Sequence, residues 1–232
     1  QGIIICNSSD TEMTSAIKTC NDNGVYLAQF FRIISETNSA DIYQAAKDSA
    51  YYIGAVHEDE PANGEALVNI LLDKGDRDIG LIGWEQGDAT WLGRWEGYKA
   101  GVDKWNEAHP DDPAQLSEPQ YAGTTSEGGS KAAEALMAAD PNLDALIPAG
   151  GGGDPLQGAI AAVERAGKTQ DIDIVSTDFL PDLGDRLENG SMAGESGGHY
   201  CDPLIAFMMV YNAIKGNYTG FAGNFEDVSF PY

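Results

Sequence analysis

The sequence predicts an α/β protein made of two doubly wound lobes, each with a parallel sheet covered by helices on both faces. Short apolar runs such as GIIIC at 2–6 and DIGLIG at 78–83 are typical of strands buried in a parallel sheet. Polar turn residues follow such runs, and a segment of helical length follows each turn. With 232 residues, the chain is long enough to bury a core in each of two lobes.

Strands and helices are predicted to alternate along the whole chain. GIIIC opens the series, and NSSDTEM supplies turn and capping groups for a helix that ends at Asn23 and Gly24. Alternation of this kind requires crossover connections and therefore parallel strands. Further strands are predicted at 25–31, 51–56, 78–83, 143–149 and 171–178, and further helices at 40–50, 64–74, the stretch carrying Arg94, 128–139, 156–166, 181–189 and 203–214, before an extended tail.

The charge of the chain argues against nucleic acid or an anionic membrane as a direct partner. Its 37 acidic and 13 basic residues give a net charge of −24, whereas phosphate contacts require clustered lysine and arginine. No apolar run reaches the roughly 18 residues that a membrane-spanning helix needs. We therefore expect a folded protein that binds neither polyanions nor the bilayer core.

Patterns typical of enzymes are missing from the sequence. The three histidines have no metal-binding spacing, and neither a GxSxG elbow nor a GxxxxGK[ST] loop occurs. We therefore expect no catalytic residues, no metal site and no cofactor. The run GGGGD at 150–154 is either an anion site at a helix N-terminus or a flexible turn. Cys6, Cys20 and Cys201 are interpreted as buried small apolar residues.

Ligand-binding side chains in such sheets gather on the loops that follow the carboxyl ends of the strands. These loops carry aromatic rings, carboxylates, an amide and guanidinium groups. A neutral polyol such as a sugar is bound by this combination, because rings cover its C–H face and charged groups bond its hydroxyls. The candidate ligand-binding residues on these loops are Asn7, Phe31, Arg32, Asp59, Trp84, Trp91, Arg94, Asp154, Asp178 and Phe179.

Arg94 is the most informative of these candidates. On a helix capped by Asp88, it shares a face with Trp91 and Tyr98, in the first turns, where a ligand at the strand ends would be reached. It is therefore predicted to contact a ligand there, and its replacement is expected to weaken ligand binding with little loss of fold stability.

Two alternative interpretations of this segment remain open at the level of sequence. Arg94 could be a surface charge paired with Glu96 or Glu85. Trp84 and Trp91 could each form either a wall of the binding site or part of the core.

The order of the segments resembles the ribose- and galactose-type periplasmic binding proteins over nearly the whole chain. The resemblance is carried by GIIICNSSDTEMTSAIKTCNDNGVYLAQFFR, HEDEPANGEALVNILLDKGDRDIGLIG, RWEGYKAG, LDALIPAGGGGDPLQGAIAAVERAG, IDIVSTDFLPD, ENGSMAGES and YNAIKG, in that order. It implies two α/β lobes joined by three crossovers that close on a ligand between them. By this pattern the first lobe is 1–75 with 200–225, and the second is 76–199 with 226–232.

Four residues match ligand-contacting positions of that family: Asn7, Arg32, Arg94 and Asp178. The match to the familiar sugar contacts is incomplete. Phe31 stands where an aspartate is usual, and His199 or its neighbour Gly198 occupies a position where glutamine is usual.

The usual Asn-Asp pair is also replaced, by Gly152 and Gly153. Asp59 and Asp154 are candidates for substitute carboxylates, or alternatively helix caps. The resemblance therefore implies a sugar, a larger saccharide or a small non-sugar polyol as the ligand.

The family begins with a strand, a helix and a strand before the segment that GIIIC resembles. The first lobe is therefore expected to lack its first strand–helix–strand unit and to expose an unpaired sheet edge. This expectation indicates a fragment, a proteolysed product or a chain whose early residues were left out.

The resemblance implies an extracytoplasmic solute-binding protein, periplasmic or lipid-anchored, that delivers a sugar-like ligand to the membrane permease of an ABC importer. The alternative is the effector-binding domain of a lactose-repressor-type transcriptional regulator, which shares the fold. A sensor module of a chemotaxis or kinase receptor is a third possibility.

Overall fold

The predicted α/β architecture with parallel sheets is confirmed in a computed structural model that describes residues 1–7, 10–32, 34, 40–150, 155–178, 180–217 and 226–230. Every strand pair within this part of the chain is parallel. The elements are, in chain order, β1 Gly2–Ile5, α1 Asp10–Asn23, β2 Tyr26–Phe30, α2 Ala40–Asp48, β3 Tyr52–Glu58, α3 Glu60–Lys74, β4 Asp78–Gly83, α4 Ala89–Ala108, β5 Gln115–Leu116, β6 Gln120–Tyr121, α5 Ser126–Ala139, β7 Ala145–Pro148, α6 Pro155–Arg165, β8 Asp173–Thr177, α7 Leu183–Asn189, β9 Gly194–Ser196, a 3₁₀ turn His199–Cys201, α8 Asp202–Lys215 and β10 Glu226–Phe230.

The chain divides into two compact units. The first unit consists of Gln1–Asp59 and His199–Pro231, and its sheet has the strand order β1-β2-β3-β10. One face of this sheet packs against α8 through residues such as Ile53 and Val210. The other face packs against α1 through Leu27 and Met13. Helices therefore cover both faces, as a doubly wound sheet requires.

Strand β1 is more exposed than its apolar sequence predicted. GIIIC was expected to be a buried strand, but the side chain of Ile3 is 49% exposed. The reason is position, because β1 lies at the end of the strand order and pairs only with β2 among the described strands. The open sheet edge expected from the resemblance is thus present in the part of the first unit that the structure describes.

The second unit consists of Glu60–Gly198. Its sheet has the order β5-β4-β7-β8-β9, and β6 also pairs with β4. Successive strand residues point to opposite faces, so Leu81 joins the core under α3 and α4 whereas Ile82 joins the core under α5 and α6. This alternation creates two cores, one on each side of the sheet.

The boundaries of the two units differ from those expected from the resemblance. Helix α3 was expected in the first lobe, but it packs against α4 and lies in the second unit, so the division falls at Asp59 and Glu60. Strand β10 was expected in the second lobe, but its backbone pairs with β3 of the first unit. In both cases long-range packing determines which unit contains the element, and the order of segments in the sequence does not show this packing.

Two further properties bear on the sequence predictions. Cys20 is buried as expected, but Cys6 and Cys201 are exposed. Among the described residues, none of the helices has the length and apolar character that a membrane crossing requires.

Candidate functional site

Helix α4 places Arg94 close to its N-terminus. Asp88 caps the helix as predicted, because its side chain accepts a hydrogen bond from the backbone N–H of Trp91 at 3.0 Å. The cap fixes the start of α4 at the end of the loop that follows β4, so Arg94 projects from the second turn of the helix, at the end of the sheet where the strands finish.

The guanidinium of Arg94 is buried among specific partners, with only 1% of the residue exposed. Its Nε donates to Glu60 Oε2 at 2.5 Å, and its Nη1 donates to Thr177 Oγ1 at 2.6 Å. The interpretation of Arg94 as a surface charge paired with Glu96 or Glu85 is therefore wrong. We name the group formed by Glu60, Trp84, Arg94, Thr177 and Asp178 the Arg94 site.

The guanidinium remains charged in this environment. Burial by itself would lower the pKa of Arg94, but the carboxylate of Glu60 and, more weakly, that of Asp178 raise it, and the net pKa lies above its usual value. The Trp84 ring adds to this stabilisation, because the guanidinium carbon lies 5.3 Å from the ring centroid.

Close packing of α3 against α4 brings Glu60 to Arg94. A Cβ atom on Gly97 would lie 2.1 Å from the carbonyl oxygen of Pro61, and one on Gly64 would lie 2.2 Å from the carbonyl oxygen of Arg94. Such distances are impossible for a real Cβ, so only glycine permits this approach of the two helices. The position of Glu60 is thus determined by the helix interface.

The two tryptophans predicted as candidates have different roles. Trp91 is fully buried, and its ring meets that of Tyr98 at 5.8 Å between centroids, which makes it part of the core. Trp84 also joins this core but lies beside the guanidinium of Arg94. Within the described part of the chain, the indole N–H groups of both are buried without a hydrogen-bond partner.

Asp178 follows the end of β8 in an unusual backbone conformation. Its φ of 69° lies in the left-handed region, which costs a residue other than glycine about 1–2 kcal/mol. The carboxylate contributes to the potential at Arg94. The candidates Asp154 and Phe179 lie outside the described residues.

In the first unit, Asn7 belongs to a buried chain of hydrogen bonds. Its Oδ1 accepts from Gln29 Nε2 at 2.7 Å, and the Gln29 Oε1 accepts from the Tyr52 hydroxyl at 2.9 Å. Asn7 is 3% exposed and Gln29 is fully buried. The predicted ligand-contacting amide is therefore held in place by the core beneath it.

His199 lies between two buried carboxylates. Its Nδ1 is 2.9 Å from Asp202 Oδ2, and its Nε2 is 3.5 Å from Glu58 Oε2. The side chains of Glu58 and Asp202 are 1% and 3% exposed. Each ring nitrogen of His199 therefore faces a carboxylate oxygen.

Two candidates from the loop after β2 complete this group. The Phe31 ring meets the His199 ring edge-on at 4.2 Å, and the guanidinium of Arg32 lies 5.4 Å from the Phe31 ring centroid. Phe31 has a φ of 71°, so it shares the left-handed conformation of Asp178. We name Phe31, Arg32, Glu58, His199 and Asp202 the His199 cluster.

The remaining candidate, Asp59, is half-buried and directly precedes α3. The candidate residues predicted from the sequence do not include Glu58, Glu60, Thr177, Gln29 or Asp202. Glu58 and Glu60 flank Asp59 in the chain, just after the strand predicted at 51–56, so their position was a usable signal. The pairing of Glu60 with Arg94 could not be predicted in this way, because the two residues are 34 positions apart in the chain.

The comparisons with known proteins agree with this fold. Residues 1–216 match the family described as periplasmic binding protein domain. No curated protein sequence matches the chain significantly.

Solved structures with the same fold include an ABC transporter solute-binding protein from Agrobacterium vitis with bound D-fucose. Its TM-score is 0.75 at 16% identity, over 98% of this chain and 72% of that one. A periplasmic solute-binding protein from Actinobacillus succinogenes with bound D-allose has a TM-score of 0.76 at 15% identity, over 99% and 75%.

The binding component of the arabinose ABC transporter from Shewanella has a TM-score of 0.73 at 20% identity, over 99% of this chain and 70% of that one. Identities this low establish the shared fold only. Together with the match over residues 1–216, they show that this chain belongs to the periplasmic binding protein domain family.

Proposed function

We propose that this protein is the extracytoplasmic solute-binding component of an ABC importer and that it binds a sugar or a sugar-like uncharged solute. The observation that carries the proposal is the chemistry at the strand ends of each unit. The Arg94 site combines an indole ring with a guanidinium and carboxylates. The His199 cluster combines a phenyl ring with a guanidinium, an imidazole and carboxylates. Polyols are recognised by rings and charged hydrogen-bonding groups of these kinds.

Backbone strain at two candidate residues supports ligand binding at the strand ends of each unit. Phe31 directly follows the last residue of β2, and Asp178 directly follows the last residue of β8. Both adopt a positive φ. Strained residues of this kind concentrate where side chains must point at a ligand. We therefore propose both as ligand-binding residues, together with Asn7, Arg32 and Arg94.

Binding is also what the solved relatives are described as doing. The proteins from Agrobacterium vitis and Actinobacillus succinogenes carry D-fucose and D-allose, respectively. By analogy, we propose that this chain hands its ligand to a membrane permease and acts outside the cytoplasm, either in the periplasm or held by a lipid anchor. Association with a permease reconstituted in vesicles would test the transport role separately from binding.

Calorimetric titration of the protein with a panel of neutral monosaccharides and oligosaccharides tests the binding proposal. We expect at least one member to bind, and Asp178→Ala to weaken its binding by at least about tenfold, because a charge-assisted hydrogen bond is lost. Asp171→Ala is the matched control, because Asp171 is exposed and precedes the same strand at its opposite end. The proposal fails if no saccharide binds or if both variants lose affinity equally.

A further inference from the structure

We propose that Glu60 makes the Arg94 site selective for uncharged ligands over acidic ones, an inference that rests on the proposed binding of a sugar-like solute there. An arginine near a ligand is usually expected to attract carboxylates or phosphates, since its planar guanidinium bonds them with two parallel hydrogen bonds. Here the guanidinium is already engaged by a carboxylate of the protein itself.

The Glu60–Arg94 pair is shielded from water. The side chains of Arg94 and Glu60 are 1% and 11% exposed, and their nearest nitrogen and oxygen atoms lie 2.5 Å apart. Because little solvent screens the two charges, they attract each other more strongly than the charges of a surface ion pair, and the pair stays associated. A ligand at this edge of the sheet therefore meets a neutral pair.

Glu60 cannot easily leave this position. It is the first residue of α3, and α3 is locked against α4 by the contacts of Gly64 and Gly97. A Cβ at Gly93, one residue before Arg94, would even lie 2.9 Å from the Cβ of Glu60. An incoming anion would have to displace the carboxylate from a closely packed helix interface.

The other charges around the pair also disfavour an anionic ligand. Asp178 adds a second carboxylate to the field at Arg94, and the whole chain carries a net charge of −24. A ligand carboxylate would be repelled by both, whereas sugar hydroxyls can accept from the guanidinium and donate to the carboxylates. Selectivity then arises from repulsion of the wrong ligand as well as attraction of the right one.

The test compares Glu60→Gln with a matched variant, Glu65→Gln. Glutamine keeps an oxygen that accepts from Arg94 Nε but removes the negative charge. Glu65 also joins α3 to α4 by an ion pair, with Lys104 at 2.6 Å, but its side chain and that of Lys104 are 31% and 65% exposed. The two variants thus remove the same charge from the same helix at a buried and at an exposed pair.

Affinities are measured by calorimetry for the hexose that the wild-type protein binds best and for the uronic acid of the same ring configuration. We expect the wild-type protein to prefer the hexose by at least about 100-fold, and Glu60→Gln to reduce that preference by at least about tenfold. Glu65→Gln should leave the ratio within about twofold. Equal ratios in the two variants would overturn the inference, while binding of the hexose would still uphold the proposed function.

A second measurement does not depend on finding the sugar. The midpoint of thermal unfolding is recorded in sodium acetate and in sodium chloride at equal ionic strength. Acetate should stabilise Glu60→Gln selectively, since the positive charge of its guanidinium is no longer balanced by Glu60 and attracts a carboxylate from solution. If no hexose binds the wild-type protein, the proposed function fails, and an acetate response that is the same in all three proteins overturns this inference as well.

Discussion

Replacing Arg94 by methionine should destabilise the second unit strongly. The sequence predicted that Arg94 contacts the ligand and that its loss has little effect on the fold. In the structure, however, Arg94 is 1% exposed and its guanidinium is bonded to Glu60 and Thr177. Methionine fills a similar volume without charge, so the variant isolates the electrostatic contribution from the packing contribution.

The magnitude follows from what the substitution leaves behind. Removing one partner of a buried ion pair costs about 3–5 kcal/mol, because the remaining charge is left without compensation. The Glu60 side chain keeps 11% exposure, which places the expected loss near the lower limit, at about 3 kcal/mol. Adding Glu60→Gln to Arg94→Met removes the orphaned charge and should restore about 1–2 kcal/mol.

Urea denaturation followed by tryptophan fluorescence measures these effects in the relevant unit, since all four tryptophans lie in it, at positions 84, 91, 95 and 105. Arg165→Met serves as the control, because its pair with Glu134 has side chains that are 57% and 55% exposed, and it should cost less than about 1 kcal/mol. An Arg94→Met variant as stable as Arg165→Met, or a double variant no more stable than Arg94→Met, would refute the argument.

Three further predictions concern other parts of the fold. Gly97→Ala should lower the free energy of unfolding in urea by about 1–3 kcal/mol, because the new methyl group collides with a carbonyl oxygen of α3. Gly184→Ala is the control and should be neutral or stabilising, because a Cβ there meets nothing within 4 Å. Equal effects of the two substitutions would contradict the close contact between α3 and α4. Burial, with the neighbouring carboxylates, raises the pKa of Asp76 from 3.8 to about 7, so its folded form holds a proton that is lost as the pH rises. Calorimetry should therefore show the free energy of unfolding falling from about pH 4 to about pH 7. Asp76→Asn removes this fall and should be more stable than the wild-type protein by about 1 kcal/mol at pH 8, after allowance for solvent screening. A variant with the same pH profile as the wild-type protein would be inconsistent with a raised pKa of Asp76. Tyr52→Phe should cost the first unit about 1 kcal/mol by circular dichroism, since Gln29 loses its buried donor, and no loss would show that the hydroxyl contributes nothing.

The candidate site was predictable where a single element determines it. Asp88 was identified as the cap of α4 from its position alone, and its hydrogen bond to the backbone of Trp91 confirms this. Trp91 and Tyr98 lie on one helical face as their spacing required. The spacing did not show whether that face lies against solvent, a ligand or the core, because periodicity carries no information about what a helix face packs against.

The sequence by itself determined the fold class, the parallel strands and the end of each sheet where polar and aromatic side chains collect. These follow from local rules, since apolar runs, turn residues and crossover lengths act over a few residues to a few tens of residues. Only the tertiary structure decided that Glu60 pairs with Arg94, that α3 belongs with the second unit and that β10 joins the sheet of the first unit. Each of these features depends on contacts between segments that are distant in the chain. The free energy of such a contact depends on how closely the segments pack and on how far water is excluded, and neither property can be read from the neighbouring residues in the sequence.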